Sequence, residues 1–204
     1  MRKRLDLQRP IDLAVISRCL EIAMQAPTGS NLQRWHWVVV TDPTKRAALA
    51  ALYRRVLDES REGYQEQLRR EFSEVELRAA ALPRVFDSSL HLAAHLHEVP
   101  VHVIPCVRGR IENASVFVQA TAYGSILPAV WSFMLALRAH SLGSAWTTIH
   151  LKREGEAAAL LGIPDDFTQT ALIPVAYYTG TDFKPAKRYH AHQRISWEAW
   201  GQRR

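Results

Sequence analysis

The stretch QAPTGSNLQRWHWVVVTD occupies residues 25–42. Its second half, from Trp35 to Thr41, is rich in valine and tryptophan, which predicts a short buried strand. Its first half is small and polar, and Pro27 disfavours a helical conformation in the residue before it, so a preceding helix must end there. The segment from Ala26 to Arg34 is longer than a simple turn requires. We therefore expect this loop to hold a ligand.

The chemistry of the loop indicates what kind of ligand it holds. Thr28, Ser30 and Asn31 offer polar side chains, and Gly29 lets the backbone come close because it has no Cβ. This combination suits a flat polar heterocycle whose edge carries several acceptors and a donor. The alternative is an elaborate turn in which Asn31 bonds its own backbone. Gln33 argues against that alternative, because it adds an amide that a turn does not need.

Helices and further strands follow on both sides of the loop. Asp12 is expected to cap an amphipathic helix before it, and Asp42 with Pro43 to start another after it. Three more strands are predicted, at Val99–Val107, Ser144–Ile149 and Ala171–Gly180. Alternation of this kind, taken alone, predicts a parallel doubly wound sheet. However, the dinucleotide-binding glycine motif, the Walker loop, the nucleophile elbow and the zinc motifs are all missing, so the usual nucleotide-binding, hydrolase and zinc-enzyme classes are not indicated.

One long helical pattern is apolar on nearly every side. It runs from Ala114 to Leu142, and we expect Pro128 to divide it, with Ser125 capping the second part and Gly143 closing it. A helix that is apolar all round is buried, either centrally or at a subunit interface. The strand after it carries Trp146, Thr147, Thr148 and His150 at its end, where ligands collect in sheet proteins. Ordinary strand chemistry would explain the same residues.

The chain has 204 residues and a net charge of +6, and it is predicted to form a single domain over 1–204. The cations concentrate in residues 1–10 and 184–204. A nucleic-acid-binding face would normally sit on the folded body, so nucleic acid is not an expected partner. The two basic arms are either solvated ends or ligands for one small phosphate monoester. The charge-dense segment at about 58–80 is predicted to be an exposed helical excursion, and 181–204 a C-terminal arm.

The cysteines and the hydropathy of the chain indicate its cellular compartment, and the spacing of its histidines bears on metal binding. Cys19 and Cys106 are far apart in apolar surroundings, which fits a reducing cytoplasm. No apolar run is expected to be long enough to cross a bilayer, so no membrane association is expected. His91 and His95 lie four residues apart, which is a metal-ligand spacing, but no carboxylate or thiol completes a set, so no metal is predicted.

In this order, the motifs resemble those of the FMN-dependent nitroreductase family. The family pattern AP(S/T)xxNxQ(P)W is matched by Ala26, Pro27, Thr28, Asn31, Gln33 and Trp35. Further matches are the ALRAxxLGxxW pattern at 136–146, LGIP at 161–164, PVAY at 174–177 and a basic tail at 183–188. Arg34 departs from the family, in which proline is common at this position.

The resemblance implies an α+β fold, with a nitroreductase-like mixed central sheet flanked by helices, in an intertwined homodimer. FMN would bind at two interfacial sites, and the C-terminal arm would embrace the other subunit. The implied activity moves two electrons from NADH or NADPH, through flavin N5, to a small acceptor such as a nitroaromatic, quinone or activated alkene. The alternatives are a flavin-consuming or substrate-oxidising branch of the family, or a non-catalytic flavin-binding protein.

The resemblance also implies the residues that bind FMN. The loop residues would line the isoalloxazine ring from the opposite subunit, and these are Pro27, Thr28, Gly29, Asn31 and Gln33. The N5 and O4 edge would be contacted by Thr147, Thr148, Ile149 and His150. The phosphate would be bound by Lys187 and Arg188, with Arg2 and Arg4 contacting phosphate, ribityl or the pyrimidine edge. No catalytic base is expected, although His150 is a hypothetical proton donor.

Overall fold

The structure is a computed structural model that describes residues 4–73, 82–180, 183, 185–186 and 188–204. The α-helices are α1 (Leu13–Ala23), α2 (Pro43–Ser73), α3 (Leu82–His95), α4 (Val116–Ala139) and α5 (Glu154–Leu161). The strands are β1 (Leu5–Asp6), β2 (Trp35–Val40), β3 (Val101–Arg108), β4 (Leu142–Ser144), β5 (Phe167–Gln169) and β6 (Ile173–Tyr178). The described chain is therefore an α+β fold, as expected.

The strands form one sheet in the order β1-β6-β3-β2, with β4 paired to β6 and β5 paired to β3. Every pairing among the described residues is antiparallel. The expected mixed sheet is therefore corrected to an antiparallel one, and the parallel alternative was also wrong. The reason is visible between β2 and β3, where two helices, α2 and α3, intervene. A pair of helices returns the chain to the same end of the sheet, so the next strand runs in the opposite direction.

The main core lies between the sheet and the packed helices α1 and α4. Ile16 and Cys19 of α1 contact the same cluster as Phe133 and Leu137 of α4 and Val103 of β3. Burial of such side chains is the dominant source of stability. Both cysteines are buried and unpaired, and burial raises the pKa of Cys106 to about 12. The core thus fixes α4 under the sheet and leaves its opposite face outward.

Local signals predicted some helix ends and failed at others. The Asp12 carboxylate accepts from Ala14 N at 2.9 Å, and Asp42 accepts from Lys45 N at 2.8 Å, so both N-caps are confirmed. In contrast, α4 continues through Pro128 and ends at Ala139, with Gly143 inside β4. Ile126, Ala129 and Val130 around the proline are all fully buried, which offsets the roughly 3 kcal/mol that an interior proline costs.

Two further expectations concern the surface. The helix α2 extends to Ser73, whereas residues 74–80 of the predicted charged excursion lie outside the described residues. By length and hydropathy α4 could cross a membrane, so the expectation that no run is long enough was wrong. The packing of its inner face into the main core is typical of a central core helix.

Candidate functional site

The loop between α1 and β2 has a strained backbone. It forms a short 3₁₀ turn over Gly29–Asn31, in which Asn31 N donates to Thr28 O at 3.0 Å. Three non-glycine residues nearby have positive φ values, namely Ser30 at 51°, Asn31 at 54° and Gln33 at 47°. Each such residue costs on the order of 1–3 kcal/mol, and such costs cluster at ligand sites. The backbone geometry therefore favours a functional loop over a simple turn.

The loop is attached to α4 through Gly29. Its backbone N–H donates to Ser125 Oγ at 3.0 Å, and Ser125 in turn donates to Thr121 O at 2.7 Å. A Cβ added at Gly29 would lie 2.5 Å from Thr121 Cγ2, which is too close for any side chain. The missing side chain of Gly29 thus lets the loop backbone lie close to α4. Ser125 serves the loop and does not cap a second helix.

Sequence reasoning missed Thr121 and Ser125 as parts of the site. A signal existed, because the two hydroxyls lie four residues apart and therefore on one face of an otherwise apolar helix. What could not be known from the sequence was that this face receives the loop.

The loop side chains brace one another and remain exposed. Thr28 Oγ1 accepts from Gln33 N at 3.2 Å, and Gln33 Nε2 donates to Asn31 Oδ1 at 3.0 Å. This arrangement fixes both amides while leaving the Asn31 amide donors and the Gln33 carbonyl without a hydrogen bond to the described residues. A ligand edge with complementary donors and acceptors would meet preorganised groups here.

A cavity of about 230 Å³ lies between the loop, the end of β3 and the first turns of α4. Thr28, Gly29 and Gln33 belong to its wall, and the remaining wall is largely apolar. Its lining also includes Arg34, Arg108 and Arg110 and, among the described residues, no carboxylate. The cavity is therefore lined mainly by apolar and basic residues.

The second predicted group of site residues lies after β4. Thr147 is buried, and its hydroxyl donates to Leu172 O at 2.8 Å, so that side chain is already engaged. Thr148 is exposed, and it precedes the 3₁₀ helix Ile149–Arg153 without a side-chain cap bond. The first N–H groups of such a turn have no partner within the turn. The backbone of Thr148 and Ile149 is therefore the part of this segment that can meet a ligand, whereas His150 is buried.

The His150 side chain is fully buried. Burial lowers its pKa to about 4, against the opposing influence of Glu154 and Gln169. The imidazole is therefore neutral near pH 7. Its ring nitrogens lack a hydrogen-bond partner among the described residues, and solvent does not reach them. The hypothesis that this side chain donates a proton in catalysis is not supported.

The described basic residues near the chain ends and the histidine cluster do not line the cavity beside the loop. Arg4 forms an exposed ion pair with Asp87 of α3 at 3.3 Å, and Arg188 is exposed. Arg2 and Lys187 lie outside the described residues. The rings of His91 and His95 are 4.6 Å apart, but the described residues contain no group of three or more potential metal ligands.

The cavity beside the loop does not bring these groups together. Its described lining includes none of residues 147–150, and neither Arg4 nor Arg188.

One family model matches the chain, and several solved structures share its fold. The sequence model described as the Nitroreductase family matches residues 2–177. An FMN and NADPH-dependent nitroreductase, NfnB from sphigopyxis sp. strain HMH, is 21% identical with a TM-score of 0.67, covering 98% of this chain and 95% of that chain. An iodotyrosine deiodinase bound to FMN and 3-iodo-L-tyrosine is 24% identical with a TM-score of 0.66, covering 93% and 90%. A BluB-like flavoprotein from Clostridium difficile 630 is 17% identical with a TM-score of 0.69, covering 97% and 94%. At these identities the three structures share the fold.

Proposed function

Because the chain belongs to the nitroreductase family, we propose that it is an FMN-dependent oxidoreductase. It takes two electrons from NADH or NADPH and passes them to a small acceptor such as a nitroaromatic, a quinone or an activated alkene. FMN, when bound, supplies the two-electron chemistry, while the protein supplies position and charge.

The observation that carries the proposal is the strained, outward-facing loop. Asn31 and Gln33 hold positive φ values and present exposed, mutually braced amides. Folding tolerates such strain only where surrounding contacts impose it, and here Ser125 imposes it through Gly29. The edge of an isoalloxazine ring, with its alternating acceptors and donor, fits those amides. Pro27, Thr28, Asn31 and Gln33 would hold the ring.

The remaining predicted residues would bind other parts of FMN. Backbone N–H groups of Thr148 and Ile149 would face the N5 and O4 edge of the ring, because the Thr147 side chain is engaged elsewhere and His150 is buried. Arg188 would bind the phosphate, together with Lys187 and Arg2 as the family resemblance implies. Arg4 joins them only by leaving its ion pair with Asp87, which costs little because both side chains are exposed.

We further propose that the site is completed by a second copy of the chain. The cavity beside the loop is lined by Thr28, Gly29 and Gln33 but by none of residues 147–150, which is compatible with a site whose two parts come from different chains. The outward face of α4 exposes Phe117, Trp131 and Leu135 by 79%, 55% and 53%, which is unusual on a helix whose other face forms the core. Two copies packed through α4 would bury these side chains.

The edge of the sheet supports the same assembly. The strand β2 pairs only with β3 among the described residues, so its outer edge carries free backbone groups. Exposed edges of this kind invite another strand. The C-terminal arm of a second copy, which contains the exposed Trp197 and Trp200, is our proposed occupant.

The test is direct. Purified protein is reconstituted with FMN, freed of excess, and mixed anaerobically with NADH or NADPH in a stopped-flow spectrometer. The proposal predicts a retained yellow colour that is bleached by one or both nicotinamides and restored by a nitroaromatic or quinone. Retained colour without bleaching would favour a flavin-consuming branch or a non-catalytic flavin-binding protein. Failure to retain FMN at all would refute the proposal.

A further inference from the structure

Two histidine rings on α3 lie side by side, and both side chains are partly exposed. His91 and His95 are four residues apart, which places them on the same face of the helix. Their ring centres are 4.6 Å apart. Two imidazoles that bind one metal ion at about 2.0–2.1 Å, at angles between square and tetrahedral, have ring centres roughly 4.5–5 Å apart. The pair therefore has the separation that a shared metal ion requires.

One of the two rings is oriented by a carboxylate. His95 Nδ1 donates to Glu98 Oε1 at 2.6 Å, and Glu98 belongs to the 3₁₀ helix Leu96–Glu98 that directly follows α3. An ionised carboxylate only accepts hydrogen bonds, so the proton of the neutral His95 ring is on Nδ1 and the lone pair is on Nε2. Histidines that bind metals almost always make this second hydrogen bond, because it fixes the ring and its tautomer.

The second ring also has a lone pair available. Burial lowers the pKa of His91 below its ordinary value, and Arg4 and His95 lower it further, against the opposing influence of Asp87 and Glu98. The imidazole is therefore neutral near pH 7. Its nitrogens make no hydrogen bond to the residues that the structure describes. A metal ion could bind there without first displacing a proton or a protein donor.

The charges around the pair favour a cation. Two carboxylates, from Asp87 and Glu98, and one guanidinium, from Arg4, act on His91. Arg4 is held in an ion pair with Asp87 at 3.3 Å. The Glu98 carboxylate has the His95 ring as its near partner and His97 only at 3.9 Å. One negative charge beside the two rings is thus left without a fixed positive charge to balance it.

We propose that His91 and His95 bind one divalent transition-metal ion of the zinc, copper and nickel group, with Glu98 as the residue that positions His95. Imidazole suits these metals, whereas Mg²⁺ and Ca²⁺ prefer oxygen ligands. The described residues contain no group of three or more potential ligands, so the other coordination positions are open to water or to another molecule. Such an open site binds its ion reversibly, unlike a closed structural site with four protein ligands.

This site is separate from the one proposed for FMN. None of His91, His95 and Glu98 lines the cavity beside the loop between α1 and β2. The inference therefore does not depend on the proposed function, and metal binding can be measured whether or not the protein reduces any acceptor.

Isothermal titration calorimetry of the purified full chain, freed of metal with EDTA and titrated with ZnCl₂, tests the proposal. Wild type should bind one Zn²⁺ per chain at this site. His91→Gln and His95→Gln should each weaken binding by at least about tenfold, because a ligand is lost. The control is the double variant His190→Gln with His192→Gln, which removes another pair of neighbouring rings, 5.6 Å apart and outside α3. It should leave the affinity of the α3 site unchanged.

The role of Glu98 has its own readouts. Glu98→Ala should weaken Zn²⁺ binding by about tenfold. Glu98→Gln should recover part of that loss, because the amide oxygen can still accept from His95 Nδ1. Nitrogen NMR of the imidazoles locates the ion, since Zn²⁺ should shift Nε2 of His95 in wild type while Nδ1 keeps its proton. Wild-type affinity in Glu98→Ala would overturn the positioning role.

The proposal as a whole is overturned by any of three results. The first is that wild type does not bind Zn²⁺. The second is wild-type affinity in both His91→Gln and His95→Gln. The third is a loss of binding in the His190 and His192 double variant alone, which would place the ion on the C-terminal arm.

Discussion

Gly29 packs so closely against Thr121 that any other residue at position 29 would force the neighbouring atoms to move. A Cβ built on Gly29 would lie 2.5 Å from Thr121 Cγ2. The backbone N–H of Gly29 donates to Ser125 Oγ at 3.0 Å. The polar loop and the central helix are therefore one unit. The geometry of the candidate site is set by the core through this contact.

Replacing Gly29 by alanine tests this coupling. The added methyl group would clash with Thr121 Cγ2, so we expect a loss of about 1–3 kcal/mol in the free energy of unfolding together with weaker FMN binding. Urea denaturation and FMN titration measure the two effects.

The double variant Gly29→Ala with Thr121→Ser removes the clashing methyl but keeps the hydroxyl that donates to Phe117 O, so it should recover most of the loss. Gly63→Ala is the control, because nothing lies within 4 Å of its Cβ position, and in the middle of a helix it should stabilise slightly. Equal stability of Gly29→Ala and wild type would contradict the coupling.

Buried histidines should make the protein sensitive to acid. Burial lowers the pKa of His102 and of His150 to about 4, below the ordinary value of about 6.5. The unfolded chain therefore binds more protons than the folded chain between those values, and stability rises with pH in that window. On acidification from about pH 6.5 to pH 4, each histidine should cost up to about 3 kcal/mol.

Unfolding midpoints in urea across this pH range measure the effect. His150→Gln should flatten the dependence, whereas the exposed His140→Gln should leave it as it is. An identical pH slope in wild type and His150→Gln would show that His150 does not titrate as its burial implies.

Glu154 and Glu112 both bind Arg110, but their environments differ. The Glu154 side chain is 20% exposed and also accepts from Gln169 N at 2.8 Å. The Glu112 side chain is 51% exposed. Glu154→Ala leaves the Gln169 N–H without its partner and leaves Arg110 with only Glu112 and Phe167 O as acceptors, so it should cost about 2–3 kcal/mol. Glu112→Ala should cost about 0–1 kcal/mol. Comparable thermal stability of the two variants would mean that Glu154 is not a structural anchor.

The outward face of α4 should control both assembly and cofactor retention. Trp131→Asp places a charge on the proposed contact with a second copy, so we expect a shift from dimer to monomer and a parallel loss of FMN. Analytical ultracentrifugation and the visible absorbance of retained flavin follow both. Tyr64→Ser removes an exposed aromatic from α2 and is the control. A Trp131→Asp protein that stays dimeric and yellow would exclude this face as the contact.

The sequence was informative where structure is local. The sequence predicts Asp12 and Asp42 as N-caps because the contact is local. Each carboxylate accepts a hydrogen bond from a backbone N–H only two or three residues later. The loop was identified because its polar residues are contiguous. The family patterns added the overall fold class, since they combine signals from most of the chain.

The sequence was uninformative where the cause lies far along the chain. The direction of β3 depends on α2 and α3 returning the chain together. The role of Gly29 depends on Thr121, which lies more than ninety residues later. Pro128 was misread because burial of its neighbours, which local rules do not include, decides whether the helix continues.

We propose above all that each FMN is held between two copies of this chain. Sedimentation velocity of the FMN-loaded protein, recorded at the visible absorbance of the flavin and again at the protein absorbance, tests it most directly. The account predicts that flavin and protein sediment together at twice the mass of one chain, with one FMN per chain. Flavin that sediments with a single chain, or free of protein, would contradict it.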